Sequence, residues 1–98
     1  MTKQEASKLE TTCDALMSHY LKTECEVSLA LSGKLKISFD DGYITVNRSS
    51  GAVDYIRYTG FYSDLQEYID KIMICLIDHT DIFNSLIWSY EHRRELEE

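Results

Sequence analysis

LKISFDDGYITV, residues 35–46, decides the fold. Leu35, Ile37 and Phe39 alternate with Lys36 and Ser38, then Ile44 and Val46 alternate with Tyr43 and Thr45. A period of two is the mark of a strand with one buried face. Asp41-Gly42 between the two runs is a strong two-residue hairpin signal, because both central positions of such a turn require positive φ. The register this implies sets Asp40 opposite Tyr43, Phe39 opposite Ile44 and Ile37 opposite Val46. All the aliphatic residues then share one face, as a half-buried sheet demands.

The same period extends outward. Cys25, Val27, Leu29 and Leu31 alternate with smaller or charged residues before Ser32-Gly33 breaks the run. After a turn at residues 47–51, Ala52 to Thr59 reads as a fourth strand with muddled alternation. Val53 and Tyr55 fall on one face, Ile56 and Tyr58 on the other. A strand with large side chains on both faces is either covered twice or presents a sticky face.

Helical signals flank the strands. Thr2-Lys-Gln-Glu5 has the form of a capping box, and Leu9, Cys13, Leu16, Met17, Tyr20 and Leu21 follow at three- and four-residue spacing to about Lys22. Ser63-Asp-Leu-Gln66 has the same box form, with Phe61 or Tyr62 expected against the first turn. Leu65, Ile69, Ile72, Met73, Leu76 and Ile77 form the stripe behind it. Asp78-His-Thr-Asp81 is expected to cap a further helix, since an unbroken 30-residue helix is unusual in a small domain. The expected fold is a single α+β domain over residues 1–98, ordered α-β-β-β-β-α-α. It is an antiparallel four-stranded meander packed by an N-terminal helix and one or two C-terminal helices.

Composition bounds the function. The longest apolar run, Ile72 to Ile77, is far short of the ~20 residues of a membrane helix, and the charged N-terminus has no apolar export core. Three cysteines (Cys13, Cys25, Cys75) without a CxxC pair are expected as reduced thiols of a cytoplasmic protein. The net charge is −7, which disfavours a direct nucleic-acid binder. Residues 1–63 hold 7 Lys/Arg against 8 Asp/Glu, while residues 64–98 hold 3 against 9. The negative charge therefore lies in the last third, and a basic partner is its natural counterpart.

Catalytic signals are sparse. The glycines at 33, 42, 51 and 60 are spaced as strand punctuation and not as a phosphate cradle. Cys75 and His79 stand four apart on a helix, the spacing at which an imidazole could activate a thiol. Asp78, His79 and Asp81 hold metal-ligating groups, but capping explains the same residues. Asp40 and Asp41 belong to the turn. No enzyme activity, cofactor or metal is expected.

Two surfaces stand out instead. If the helix runs through, Glu67, Asp70, Asp78 and Asp81 share the side opposite the apolar stripe, at a spacing of about 5–6 Å that is near that of phosphates along one strand. Tyr55, Arg57, Tyr58 and Trp88 are of the types enriched at interface hot spots, and Trp88 with Ile74 falls off the main stripe, where a homodimer seam could form. Lys34, Lys36, Arg48 and Arg57 could share a sheet face, with acidic helices close by. In size, acidity and lack of chemistry the chain is similar in general character to phage-encoded inhibitors of host defence, anti-CRISPR proteins among them, and to immunity proteins and antitoxins that neutralise a basic nuclease. That similarity implies a protein partner and no membrane. The alternative is an acidic dimeric chaperone or assembly factor, since type III secretion chaperones are similar in their acidity, N-terminal helix and twisted sheet.

Overall fold

The computed structural model describes residues 1–30, 33–47 and 52–96, apart from the side chain of Tyr62. Helix α1 (Lys3–Leu21) precedes strands β1 (Glu26–Leu29), β2 (Leu35–Phe39), β3 (Gly42–Val46) and β4 (Val53–Tyr58). Helices α2 (Tyr62–Asp78) and α3 (Thr80–Glu91) and a short 3-10 turn at Arg93–Glu95 complete the chain. The sheet is antiparallel throughout with order β1-β2-β3-β4. The α+β meander is as its sequence period implies.

The capping box of α1 forms. Glu5 N–H donates to Thr2 Oγ1 at 3.1 Å, and Thr2 N–H to the Glu5 carboxylate at 3.3 Å. Lys22, in the left-handed region at φ 56°, closes the other end. Cys13, Met17 and Leu21 turn inward from α1 onto Val27, Leu35, Ile37, Ile44 and Val46 of the sheet, and Leu65, Ile72, Cys75, Phe83 and Leu86 complete the core from α2 and α3. Each fully buried aliphatic side chain here contributes about 1.5–3 kcal/mol relative to its exposed state.

The hairpin register differs from expectation by two residues. Ile37 pairs with Ile44, Leu35 with Val46 and Phe39 with Gly42, so the turn residues are Asp40 and Asp41. Gly42 is not in the turn: it opens β3 at φ +146°, sandwiched between Phe39 and Tyr58. A Cβ there would fall 1.8 Å from the Arg57 carbonyl oxygen. Glycine is required because β4 passes too close for a side chain. A shift of two preserves side-chain parity, which is why the apolar face was predicted correctly from a wrong register.

Strand β4 carries a bulge. Thr45 pairs with Tyr55 but Val46 with Val53, leaving Asp54 as an extra residue. The extra residue changes the phase of the strand, so Val53 joins Ile56 and Tyr58 on the core face and Tyr55 joins Arg57 on the outer one. This corrects the assignment of Val53 and Tyr55 to one face.

Candidate docking surfaces on the helices and the sheet

The cap of helix α2 lies two residues before the expected Ser63. Phe61, in extended conformation, is the N-cap and makes no side-chain cap bond; Asp64 and Leu65 N–H donate to its carbonyl. Ser63 and Gln66 therefore lie inside the helix, and Gln66 Nε2 donates instead to Asp70 Oδ1 at 3.1 Å. Phe61 is not tucked against the first turn but largely exposed. The alternative packing residue, Tyr62, lies outside the described side chains.

The chain does break into two helices, although not by the expected cap. His79 is both the C-cap of α2 and the N-cap of α3, with no side-chain cap bond from it. Thr80 Oγ1 donates back to the Leu76 and Ile77 carbonyls at 2.9 and 3.0 Å, satisfying acceptors that the interrupted ladder leaves open. The junction is fastened to α1 by Tyr20, whose hydroxyl donates to Asp78 Oδ2 at 2.9 Å and lies 3.1 Å from His79 Nε2. A phenol has one proton, and Asp78 receives it, so the Tyr20 oxygen must accept from an Nε2–H of His79. The Asp78 carboxylate pushes the Tyr20 hydroxyl above its ordinary value.

The outward surface of α2 and α3 follows from these constraints. Both helices pack on α1 more than on each other, so their outward faces turn away from α1. Glu67, Asp70, Ile74 and Ile77 follow at three- and four-residue spacing on α2, and Asp81, Asn84, Ser85 and Trp88 on α3. All are exposed; Ile77 is 71% exposed and Trp88 43%. The Trp88 ring stacks on His92, with centroids 4.3 Å apart and an interplanar angle of 16°. Lys71 is the only Lys or Arg between residues 62 and 91. Of the four acidic residues singled out from sequence, Glu67, Asp70 and Asp81 face outward, whereas Asp78 is exposed but bonded to Tyr20.

The outer sheet face holds the other candidates. Tyr55 is 54% exposed and lies against Tyr43, with ring centroids 5.7 Å apart. Lys36 Nζ caps the Tyr43 ring at 4.3 Å, and Lys34 pairs with Asp54 at 3.2 Å. Arg57 shares this face and has no ion pair among the described residues; Arg48 lies outside them. Tyr58 points the other way, into a cluster with Phe39 and Tyr68 at 5.8 and 6.0 Å. Burial raises its hydroxyl above the ordinary value, with Tyr68 and acidic neighbours adding to the effect.

Sequence reasoning missed two features. Ile77 was assigned to the buried stripe, but the stripe ends where the helix breaks, two residues later. An open groove of about 600 Å³ lies between α1 and the start of the sheet, where Asp14, Glu24, Glu26 and Asp40 converge from separate elements. Asp14 accepts from Val27 N–H at 2.7 Å; burial raises its carboxyl above the ordinary value, and Glu26 and Glu10 add repulsion against the opposing effect of that bond. No single-sequence signal joins residues so far apart.

Cys13 and Cys75 are fully buried, and burial pushes both thiols up to about 12. Among the described residues no three His, Cys, Asp or Glu side chains converge as a metal site, and no helix is long and apolar enough to cross a membrane. Compared with family models, curated proteins and solved structures, the chain matches none.

Proposed function

We propose that this chain is a protein-binding inhibitor that acts by occupancy rather than catalysis, docking the outward surface of α2 and α3 on a basic nucleic-acid-binding partner such as a nuclease or CRISPR effector. The observation that carries this reading is the composition of that surface: Ile74, Ile77 and Trp88 stand exposed among Glu67, Asp70 and Asp81, with Lys71 as the only intervening cation. Carboxylates at helical spacing present a row of negative charge that steers a basic groove into contact and competes with phosphates for it. Desolvated Trp and Ile side chains then supply contact energy that charge alone does not. A phage or other mobile element is the expected source of such an inhibitor.

The test is capture from bacterial lysate at low and high salt with the wild type and with the triple variant Glu67→Lys, Asp70→Lys, Asp81→Lys. A partner retained only by the wild type is then purified, and its nucleic-acid binding is measured by gel shift against added inhibitor. Loss of nucleic-acid binding, weakened by the triple variant and by salt, is the expected result. If every captured protein binds the triple variant equally, or the purified partner keeps its nucleic acid, the reading is wrong.

A further inference from the structure

The two edges of the sheet are treated differently. At the β1 edge, α1 supplies acceptors: Asp14 Oδ1 takes Val27 N–H at 2.7 Å and Ser18 Oγ takes Cys25 N–H at 3.1 Å. Strand β4 packs chiefly on β3, and no described element runs along its other side. An uncovered edge strand is a template for another strand.

The direction of the free backbone groups is fixed. Thr59 N–H donates to Asp41 O at 3.3 Å, the Tyr55 carbonyl accepts from Thr45 Oγ1 at 3.4 Å, and the Arg57 carbonyl lies against Gly42. Residues 55, 57 and 59 thus turn their backbone groups to β3. In an antiparallel ladder the alternate residues turn theirs away, so Ile56 and Tyr58 offer N–H and C=O to the open edge.

We propose that β4 pairs antiparallel with β4 of a second copy of this chain, about a two-fold axis at Ile56. Ile56 then faces Ile56 of the second copy and exchanges both hydrogen bonds with it. The same register sets Tyr55 opposite Arg57 of the second copy, in the close pairing that lacks backbone bonds. Each side supplies what the other lacks. Tyr55 is already one end of a row in which Lys36 caps Tyr43 and Tyr43 lies against Tyr55; Arg57, without an ion pair among the described residues, brings a cation to the other end of that row. On the core face Ile56, 38% exposed in one chain, is covered by its counterpart. A two-fold centred on Arg57 would instead oppose two cations through residues whose backbone groups point to β3. The product is a continuous sheet of twice the four strands of one chain, with both helical layers on the same side. One strand pair is small beside the roughly 1,200–2,000 Å² of stable interfaces, so the dimer forms with rising concentration.

The test is light scattering over a micromolar-to-millimolar dilution series, with oxidative cross-linking of single-cysteine variants. The native thiols are buried, so Ile56→Cys adds the reporting group. Expected are a mass rising from 11.4 kDa toward twice that value, a monomer at every concentration for Ile56→Lys with unchanged circular dichroism, and a covalent dimer for Ile56→Cys but not for Arg57→Cys. Should Ile56→Lys fail to fold, the cross-linking pair decides alone. A monomer throughout, a dimer that Ile56→Lys leaves intact, or no Ile56→Cys cross-link overturns the proposal. Charge reversal at Glu67, Asp70 and Asp81 lies on another surface and is expected to leave the dimer unchanged, which separates this test from that of partner binding.

Discussion

Substituting Gly42 by Ala tests the reason the sheet closes as it does, and Gly33 by Ala is its control. Both glycines have positive φ, +146° and +82°. They differ in surroundings: a Cβ at Gly33 meets nothing within 4 Å, whereas one at Gly42 falls 1.8 Å from the Arg57 oxygen and 2.7 Å from its carbon. For Gly33→Ala the cost is backbone strain of about 1–2 kcal/mol, partly offset by about 0.4–1 kcal/mol from the reduced freedom of the unfolded chain. Gly42→Ala carries strain of about 1–3 kcal/mol and also a contact far inside the ~3.5 Å at which nonbonded heavy atoms sit. Relief requires β4 to move away from β3 by more than an ångström, which breaks the Tyr43–Arg57 pairing. Two ladder hydrogen bonds at about 0.5–1.5 kcal/mol each are then lost. The expected destabilisation is about 3–5 kcal/mol, a large part of the ~5–15 kcal/mol of a typical domain. Urea unfolding followed by Trp88 fluorescence measures both variants, and hydrogen exchange shows whether the loss concentrates at Tyr43, Arg57 and Thr59. Equal costs for the two substitutions would refute the close-approach argument.

Two further outcomes follow from buried or bonded ionisable groups. The folded-state pKa of the Cys13 and Cys75 thiols, about 12, lies above the 9.0 of a free thiol, so their contribution to stability is complete below pH 9 and is lost as pH rises toward 12. Each thiol steepens the alkaline fall by about 1.4 kcal/mol per pH unit, so Cys75→Ala is expected to flatten the urea midpoint against pH between 9 and 11, and an unchanged slope would contradict it. At the helix junction, Asp78→Asn removes the carboxylate that raises the Tyr20 hydroxyl, so the ring resonance of Tyr20 should titrate at lower pH than in the wild type; no movement would show that Asp78 is not the cause.

The fold was legible because its signals are local. The two-residue period of residues 35–46, the capping box at Thr2 and the stripe from Leu9 to Leu21 each depend on neighbours in sequence. The errors arose where a residue answers to a distant one. Gly42 looks like a turn glycine, but the constraint on it comes from Arg57, fifteen positions away, and the register moved accordingly. Ser63 looks like a cap, yet the chain leaving β4 is already extended at Phe61 and enters the helix there. Thr80 was read with Asp78 as a helix start, whereas its hydroxyl is spent on the carbonyls of the helix that ends. The candidate surfaces were legible in kind, since exposed carboxylates at helical spacing follow from the pattern. The Asp14–Asp40 groove was not, because it is assembled from three separate stretches of the chain.

The bulge at Asp54 sets which side chains of β4 reach the core and which reach the outer face of the sheet. Without the extra residue, Val53 would share the outer face with Tyr55 and Arg57, adding an apolar side chain to a polar aromatic face at the open edge. With it, Val53, Ile56 and Tyr58 turn toward the core, and Asp54 is free to neutralise Lys34. Among the described residues Arg57 is left on that face without an ion pair, beside an open tyrosine ring. Bulges commonly serve to blunt an edge, but this one lies near the beginning of β4 and leaves Tyr55 to Tyr58 in unbroken register with β3. The segment therefore keeps Ile56 and Tyr58 with backbone groups turned to the open edge and Tyr55 and Arg57 with side chains on the outer face beside it. The proposed pairing at this edge and the proposed docking of α2 and α3 are thus separable, because no residue contributes to both.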